Sequence, residues 1–218
     1  MPNSRKSFLA VIACLFFSFG FYSQELTAVS GTQFSAVIVQ TMPDNKQMTG
    51  KLYVGDKLVR TEMGQRDQQR ITIVNSGRGT VWTLNSSRKE YVEMQGQAQG
   101  DMPSRPPLPG EPGSFCEQGK GLTCTKLGVE QVNGRHTEKW QLVMSRDEQT
   151  VRWVAWVDRS LGVAVKEELP GGFVRELREI HEGPQEPTLF QVPSDYKRIE
   201  IPKQPPGQPG SERAPGYR

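Results

Sequence analysis

Side chains that could do acid–base, nucleophilic or metal chemistry are few and scattered in this sequence. It contains two histidines, His136 and His181, and neither lies in a recognisable catalytic motif. The sequence has no G-x-S-x-G, G-x-G-x-x-G, G-x-x-x-x-G-K or H-E-x-x-H signature. Its acidic residues alternate with lysine and arginine, as is typical of solvated strand faces. We therefore expect a protein that is not an enzyme, with no catalytic residue, no metal ion and no cofactor.

The first residues have the layout of a signal peptide. Arg5 and Lys6 precede fifteen uncharged, mostly apolar residues from Phe8 to Tyr22. This run is shorter than the roughly 20 apolar residues that span a bilayer. We predict that residues 1–23 are a signal peptide and that the protein is exported to the periplasm or cell envelope. An uncleaved anchor and a lipid anchor at Cys14 are the alternatives, and we favour ordinary export.

Export determines the expected chemistry of the remaining cysteines. Without residues 1–23 the chain retains Cys116 and Cys124, in the segment CEQGKGLTC. Two thiols in an oxidising compartment most simply form one disulfide. A metal site is disfavoured, because no histidine or further cysteine lies nearby to complete a ligand set.

The chain is organised as one domain followed by a tail. We predict a β domain over residues 24–201 and a disordered segment rich in proline and glycine over 202–218. A similar segment, 95–114, lies inside the domain and could act as a lid over a binding site. The formal net charge is +3 and no basic cluster stands out, so we expect no nucleic-acid partner.

Short β-branched and aromatic runs separated by turn residues predict an antiparallel all-β domain. The predicted strands are 34–40, 50–54, 57–63, 70–75, 79–84, 88–94, 127–132, 135–144, 150–157 and 163–169. Gly55-Asp56 predicts a two-residue hairpin turn in which Leu52 pairs with Val59 and both share one face. In the later strands, alternation places Trp153 on an apolar inward face and Trp156 on the opposite, outer face.

The segment GGFVRELREIHEG supports two interpretations. Phe173, Leu177 and Ile180 have the i, i+4, i+7 spacing of an amphipathic helix. A strand over the same residues would carry charges on both faces. The pattern alone therefore predicts a helix at 173–181.

Two groups of residues carry a resemblance to a known superfamily. They are GKLYV with Arg60 and SGRGTVWTLNSSRKEYVEM in the first half, and WVDRSLGVAVKEEL with the closing LFQVPSDY in the second. The chain resembles an uncharacterised group of bacterial exported proteins near the LolA/LolB-like outer-membrane lipoprotein carrier superfamily. The resemblance implies a single, strongly curved antiparallel sheet, an unclosed half-barrel covered by a loop or short helices, whose hollow can hold acyl chains. It also implies that 173–181 is a strand.

These observations predict a non-enzymatic envelope protein that binds a lipid or acyl chain in the hollow of the sheet. The alternative is an envelope protein–protein interaction or scaffold module with a filled core and no small ligand. Alternation does not distinguish a packed core from a ligand-lined hollow. The candidate ligand-lining residues are Leu52, Val59, Trp82, Trp140, Leu142, Trp153 and Val165. The candidate outer patch for a protein partner comprises Tyr53 and Trp156.

Overall fold

The structure is a computed structural model, and it describes residues 32–65, 68–95, 108–110, 114, 116, 121–146 and 149–200. The predicted signal peptide and tail lie outside the described residues, as does most of the predicted lid. The described residues form twelve strands in one sheet and contain no α-helix. The strands are β1 Phe34–Thr41, β2 Gln47–Val54, β3 Leu58–Met63, β4 Arg70–Asn75, β5 Thr80–Asn85, β6 Glu90–Gln95, β7 Leu122–Val132, β8 Arg135–Arg146, β9 Gln149–Asp158, β10 Val163–Leu169, β11 Phe173–Glu182 and β12 Lys197–Arg198.

The strand order is β12-β6-β5-β4-β3-β2-β1-β11-β10-β9-β8-β7. Every pair is antiparallel except β12 with β6, which is parallel. Two runs of sequential hairpins, β1–β6 and β7–β11, are joined where β1 pairs with β11. The sheet does not close into a barrel, so the predicted all-β half-barrel is confirmed.

One face of the sheet, here called the inner face, carries Leu52, Val59 and Leu177. Its core is a cluster formed by alternate residues of β1 with side chains of β10 and β11, among them Ile38, Val165 and Leu177. A second inner-face cluster contains Leu142, Ala155 and Val157 of β8 and β9. Both clusters follow the period of two expected for a sheet that buries one face.

The outer face is covered where β3–β6 lie by the C-terminal segment 187–199. Phe190 is buried against Ile71, Ile73 and Leu84. A Cβ atom added to Gly55 would lie 3.0 Å from the Phe190 ring, so glycine permits this close approach. Arg60 donates a hydrogen bond from Nη1 to the Leu189 carbonyl oxygen at 2.8 Å. We call residues 187–199 the strap.

The helix predicted at 173–181 from its spacing is wrong, because these residues form strand β11. Phe173 and Leu177 are four residues apart and share a face, as residues at even spacing do in a strand. The register then shifts near Glu179, which has a φ of 50°. This irregularity brings Ile180 back to the inner face beside Leu177. A strand with one bulge thus produced the spacing of a helix.

The β2–β3 turn also differs in register from the prediction. Val54, rather than Leu52, pairs with Val59, and the Gly55 N–H donates to the Leu58 carbonyl oxygen, so the two-residue turn is Asp56-Lys57 rather than Gly55-Asp56. The pairing partner of Val59 thus moves by two residues. The shift is an even number of residues. Leu52 and Val59 therefore still lie on the same face, as the alternation predicted.

Candidate functional site

The inner face contains a cavity of about 400 Å³, here called the inner-face cavity. Its apolar lining comes from β2, β3, β10, β11 and the loop before β10. These residues are Leu52, Val54, Val59, Leu161, Val163 and Leu177. In a flat sheet β3 and β10 would be about 19 Å apart at about 4.8 Å per strand. Strong curvature of the sheet is what brings both strands to one cavity.

One edge of the cavity is formed by the described part of the 95–114 segment. Leu108 lines the cavity and is buried against Leu142, Ala155 and Val157. Two residues on, Gly110 has a φ of 80°, and a Cβ atom there would lie 3.1 Å from the Trp140 ring. The segment therefore runs across the inner face at this point.

The disulfide predicted between Cys116 and Cys124 is present, with a Cα–Cα distance of 5.5 Å. Cys124 lies in β7 and packs against the inner-face cluster that contains Leu142. The bond consequently fixes Cys116, eight residues after Leu108, to the edge strand β7. By the chain-entropy relation, closing so short a loop contributes about 2 to 3 kcal/mol.

Six of the seven predicted ligand-lining residues lie on the inner face, in three places. Leu52 and Val59 line the inner-face cavity. Beside this cavity, on the same face, lies the cluster that packs against Leu108, and it contains Trp140, Leu142 and Trp153. Val165 is 1% exposed and belongs to the packed core.

Trp82 does not lie on the inner face. It pairs with Ile73 and Glu93 across the sheet and packs in the cluster beneath the strap. Its indole N–H donates to Glu93 Oε2 at 3.0 Å. The expectation that Trp82 lines the hollow is therefore incorrect, since the strap buries this part of the outer face.

Trp156 lies on the face opposite Trp153, as alternation predicts, but its side chain is only 3% exposed. Lys139 and Lys166 place their ammonium groups 4.8 and 4.4 Å from its ring centroid. The indole N–H donates to Glu130 Oε2 at 2.7 Å. The long lysine side chains and the cation–π contacts account for this burial.

Tyr53 and Trp156 do not form the exposed outer patch that was expected. Tyr53 packs in the cluster that contains Phe190 of the strap. Its strand, β2, is four positions from β9 in the sheet, which corresponds to about 19 Å measured along the sheet at about 4.8 Å per strand. The two rings are separate and each is covered by other side chains.

Two charged residues that line the cavity, Glu167 and Arg175, were not identified from the sequence. They are Cα partners in β10 and β11, and Arg175 Nε lies 3.2 Å from Glu167 Oε2. The helix interpretation concealed Arg175, which shares a strand face with Leu177. Glu167 could have been found from its even spacing to Val163 and Val165.

Glu138 is the centre of a second charged group, at the edge of the inner face. Partial burial raises the pKa of Glu138, but hydrogen bonds from Lys126, Arg159 and Trp140 outweigh that effect and lower the pKa to about 2. Arg159 also donates to the Pro109 carbonyl oxygen. This group therefore holds the 108–110 segment against the sheet.

Within the part of the chain that the structure describes, no three His, Cys, Asp or Glu side chains come together as a metal site would require. No helix of the described residues is long and apolar enough to span a membrane.

The sequence matches no protein-family model and no curated protein sequence. Solved structures do match. An uncharacterized conserved protein from Thermus thermophilus is 10% identical with a TM-score of 0.50, over 78% of this chain and 90% of that chain. MucB is 16% identical with a TM-score of 0.50, over 83% of this chain and 65% of MucB. This chain thus spans less than two thirds of MucB.

A LolA superfamily protein, NE2245 from Nitrosomonas europaea, is also among the structural neighbours. It is 11% identical with a TM-score of 0.31, over 74% of this chain and 90% of that chain. That score is too low to support an argument. The Thermus protein and MucB are only 10% and 16% identical to this chain, so their likeness to it concerns the fold alone.

Proposed function

We propose that the protein is a non-enzymatic cell-envelope protein that binds an apolar ligand, such as a lipid or acyl chain, in the inner-face cavity. The observation that carries this proposal is the cavity itself, of about 400 Å³ and lined mainly by aliphatic side chains. Small-molecule sites have volumes of about 300 to 1,000 Å³ and are mostly apolar with a few polar groups. The cavity matches both criteria.

Burial of an acyl chain supplies enough free energy for binding. Each methylene group removed from water contributes about 0.8 kcal/mol. Several methylenes offset the cost of ordering the ligand, and a longer chain binds more tightly. Leu108 contributes to the cavity wall, so residues 108–110 shield the ligand from water at this edge.

The envelope location is supported by two features of the chain. The first 23 residues have the layout of a signal peptide. Cys116 and Cys124 form a disulfide, and such bonds persist in oxidising compartments. Both features fit an exported protein.

The scaffold alternative is favoured by a different observation. Beneath Trp153 the inner face is filled by Leu108, Leu142 and Ala155. The edge strand β7 also exposes Leu127 and Val129, at 49% and 63%. An extended segment of a partner protein could pair with such an edge.

A cavity-filling substitution tests the ligand-binding proposal. We expect Val59→Trp to abolish binding of an environment-sensitive apolar dye, because the indole would occupy the inner-face cavity. The matched control is Val81→Trp. Val81 lies on the same face two strands away and does not line the cavity. Dye fluorescence during titration measures both variants.

Saturable binding by the wild type and Val81→Trp, together with loss in Val59→Trp, supports the proposal. If the wild type binds neither dye nor fatty acid, the ligand-binding function fails and the scaffold alternative is preferred. Equal binding by the two variants would also contradict the assignment to this cavity.

A further inference from the structure

The inner-face cavity combines an aliphatic lining with one ion pair. Among the described residues that line it, Glu167 and Arg175 are the only charged ones. Their facing positions in β10 and β11 put both side chains on the inner face, together with Leu177. A ligand in the cavity therefore meets hydrocarbon along most of its length and a guanidinium group at one place.

The guanidinium group has unused hydrogen-bonding capacity. Arginine carries five N–H donors in a planar fork. Within the described part of the chain, Arg175 contacts one acceptor group, the Glu167 carboxylate, through Nε at 3.2 Å. Among these described residues, none accepts a hydrogen bond from the Nη atoms of Arg175. Those four N–H groups can bind a second anion while Nε remains beside Glu167.

The exposure of the pair shows where that anion would lie. The Arg175 side chain is 48% exposed, whereas that of Glu167 is 21% exposed. The guanidinium group is thus at the solvent-accessible side of the cavity and Glu167 is more enclosed. An acidic head group bound at Arg175 keeps part of its hydration, which limits the desolvation cost of pairing two charges.

Building on the proposed function, we infer that the ligand is an acyl compound with an acidic head group. The head group binds to the Nη atoms of Arg175, and the chain extends along Leu52 and Val59. A basic head group is disfavoured, because Glu167 already faces Arg175 and a second cation would be repelled by the guanidinium. A neutral ester can accept a hydrogen bond from Nη through its carbonyl oxygen, but it carries no charge to pair with the guanidinium.

The experiment compares lauric acid with methyl laurate, which have the same chain and differ in head-group charge. Each displaces the apolar dye from the full chain at pH 7. We expect lauric acid to bind on the order of tenfold more tightly, as a hydrogen bond to a charged group warrants. Arg175→Gln should remove that preference, because it weakens the binding of lauric acid far more than that of methyl laurate.

Arg178→Gln is the matched control. Arg178 lies in the same strand on the outer face, has a similar exposure of 46% and is paired with Glu176. This variant should keep the preference for the acid. The inference would be overturned if the wild type bound acid and ester with equal affinity, or if Arg175→Gln weakened the binding of both equally. The proposed binding of apolar ligands would stand in either case. Binding of neither compound would instead overturn the proposed function and, with it, this inference.

Discussion

At the scale of single residues, charged side chains determine which apolar groups remain accessible. Trp156 faces away from the core cluster, yet two lysines cover its ring and Glu130 holds its indole N–H. Trp140 is similarly bounded by Lys126 and Arg159, both of which bond to Glu138. Strand alternation identifies the face of each tryptophan but not these long-range partners. For that reason the sequence predicted that Trp156 is exposed, whereas in the structure it is buried.

The depressed pKa of Glu138 makes stability depend on pH in a defined direction. Because the folded-state pKa of about 2 is below the ordinary value of 4.5, this stabilisation is complete above pH 4.5. It is lost as the pH falls toward 2. With allowance for solvent screening, we expect Glu138→Gln to cost about 1 to 2 kcal/mol at pH 7. Urea unfolding at a series of pH values measures the difference from wild type.

That difference should narrow between pH 4.5 and pH 2. The control is Glu186→Gln, at an exposed position, which should match the wild type throughout. A cost for Glu138→Gln that stays constant across the series would show that the carboxylate charge is not responsible.

At the scale of elements, the strap is the largest structural feature that was not predicted from the sequence. It covers the outer face through Phe190, and Lys197 and Arg198 pair with β6. The residues PTLFQVPSDY have no regular apolar period, so no pattern identified the surface that they cover. The resemblance to exported proteins included this segment as a closing motif but gave it no structural role.

Truncation of Phe190 tests whether the strap stabilises the sheet. The side chain is 6% exposed and fills the space above Gly55 and Ile73. We expect Phe190→Ala to lower the free energy of unfolding by about 3 to 5 kcal/mol. Ile199→Ala, at a position that is 37% exposed, should cost less than about 1 kcal/mol. Urea denaturation compares the two, and similar small costs would mean that the strap is only loosely attached.

The elements also show what sequence periodicity can and cannot provide. The alternating strands around Trp140 and Trp153 were located because one face is consistently apolar. The strand at 173–182 was not located, because the irregularity at Glu179 interrupts the alternation of inward and outward side chains. The same error concealed Arg175. Predicting the cavity would have required the curvature of the sheet, which depends on contacts between strands distant in the sequence.

At the scale of the whole molecule, a buried ion pair links three parts of the sheet. Arg135 at the start of β8 donates to Asp158 at the end of β9 and to Glu182 at the end of β11. Asp158 is 3% exposed and also accepts hydrogen bonds from Ser160 and the Leu161 N–H. The β7–β8 hairpin is thereby attached to the strand that joins the two halves.

Removal of the arginine tests this link. We expect Arg135→Met to destabilise the protein by about 2 to 4 kcal/mol, because it leaves a buried carboxylate with fewer partners. The control is Lys46→Met, which removes an ion pair whose side chains are 82% and 52% exposed. It should cost less than about 1 kcal/mol. Thermal unfolding of both variants provides the comparison, and equal costs would contradict a structural role for the buried pair.

The join between β1 and β11 has a consequence for the order of folding. Each half of the sheet forms through hairpins between neighbouring strands, whereas Phe34 and Glu182 meet only after a long loop closes. The inner-face cavity takes Leu52 from the first half and Leu177 from the second, so it exists only once the halves have joined. A molecule bound there would contact both halves of the sheet and stabilise their association. Its main kinetic effect would be to slow their separation.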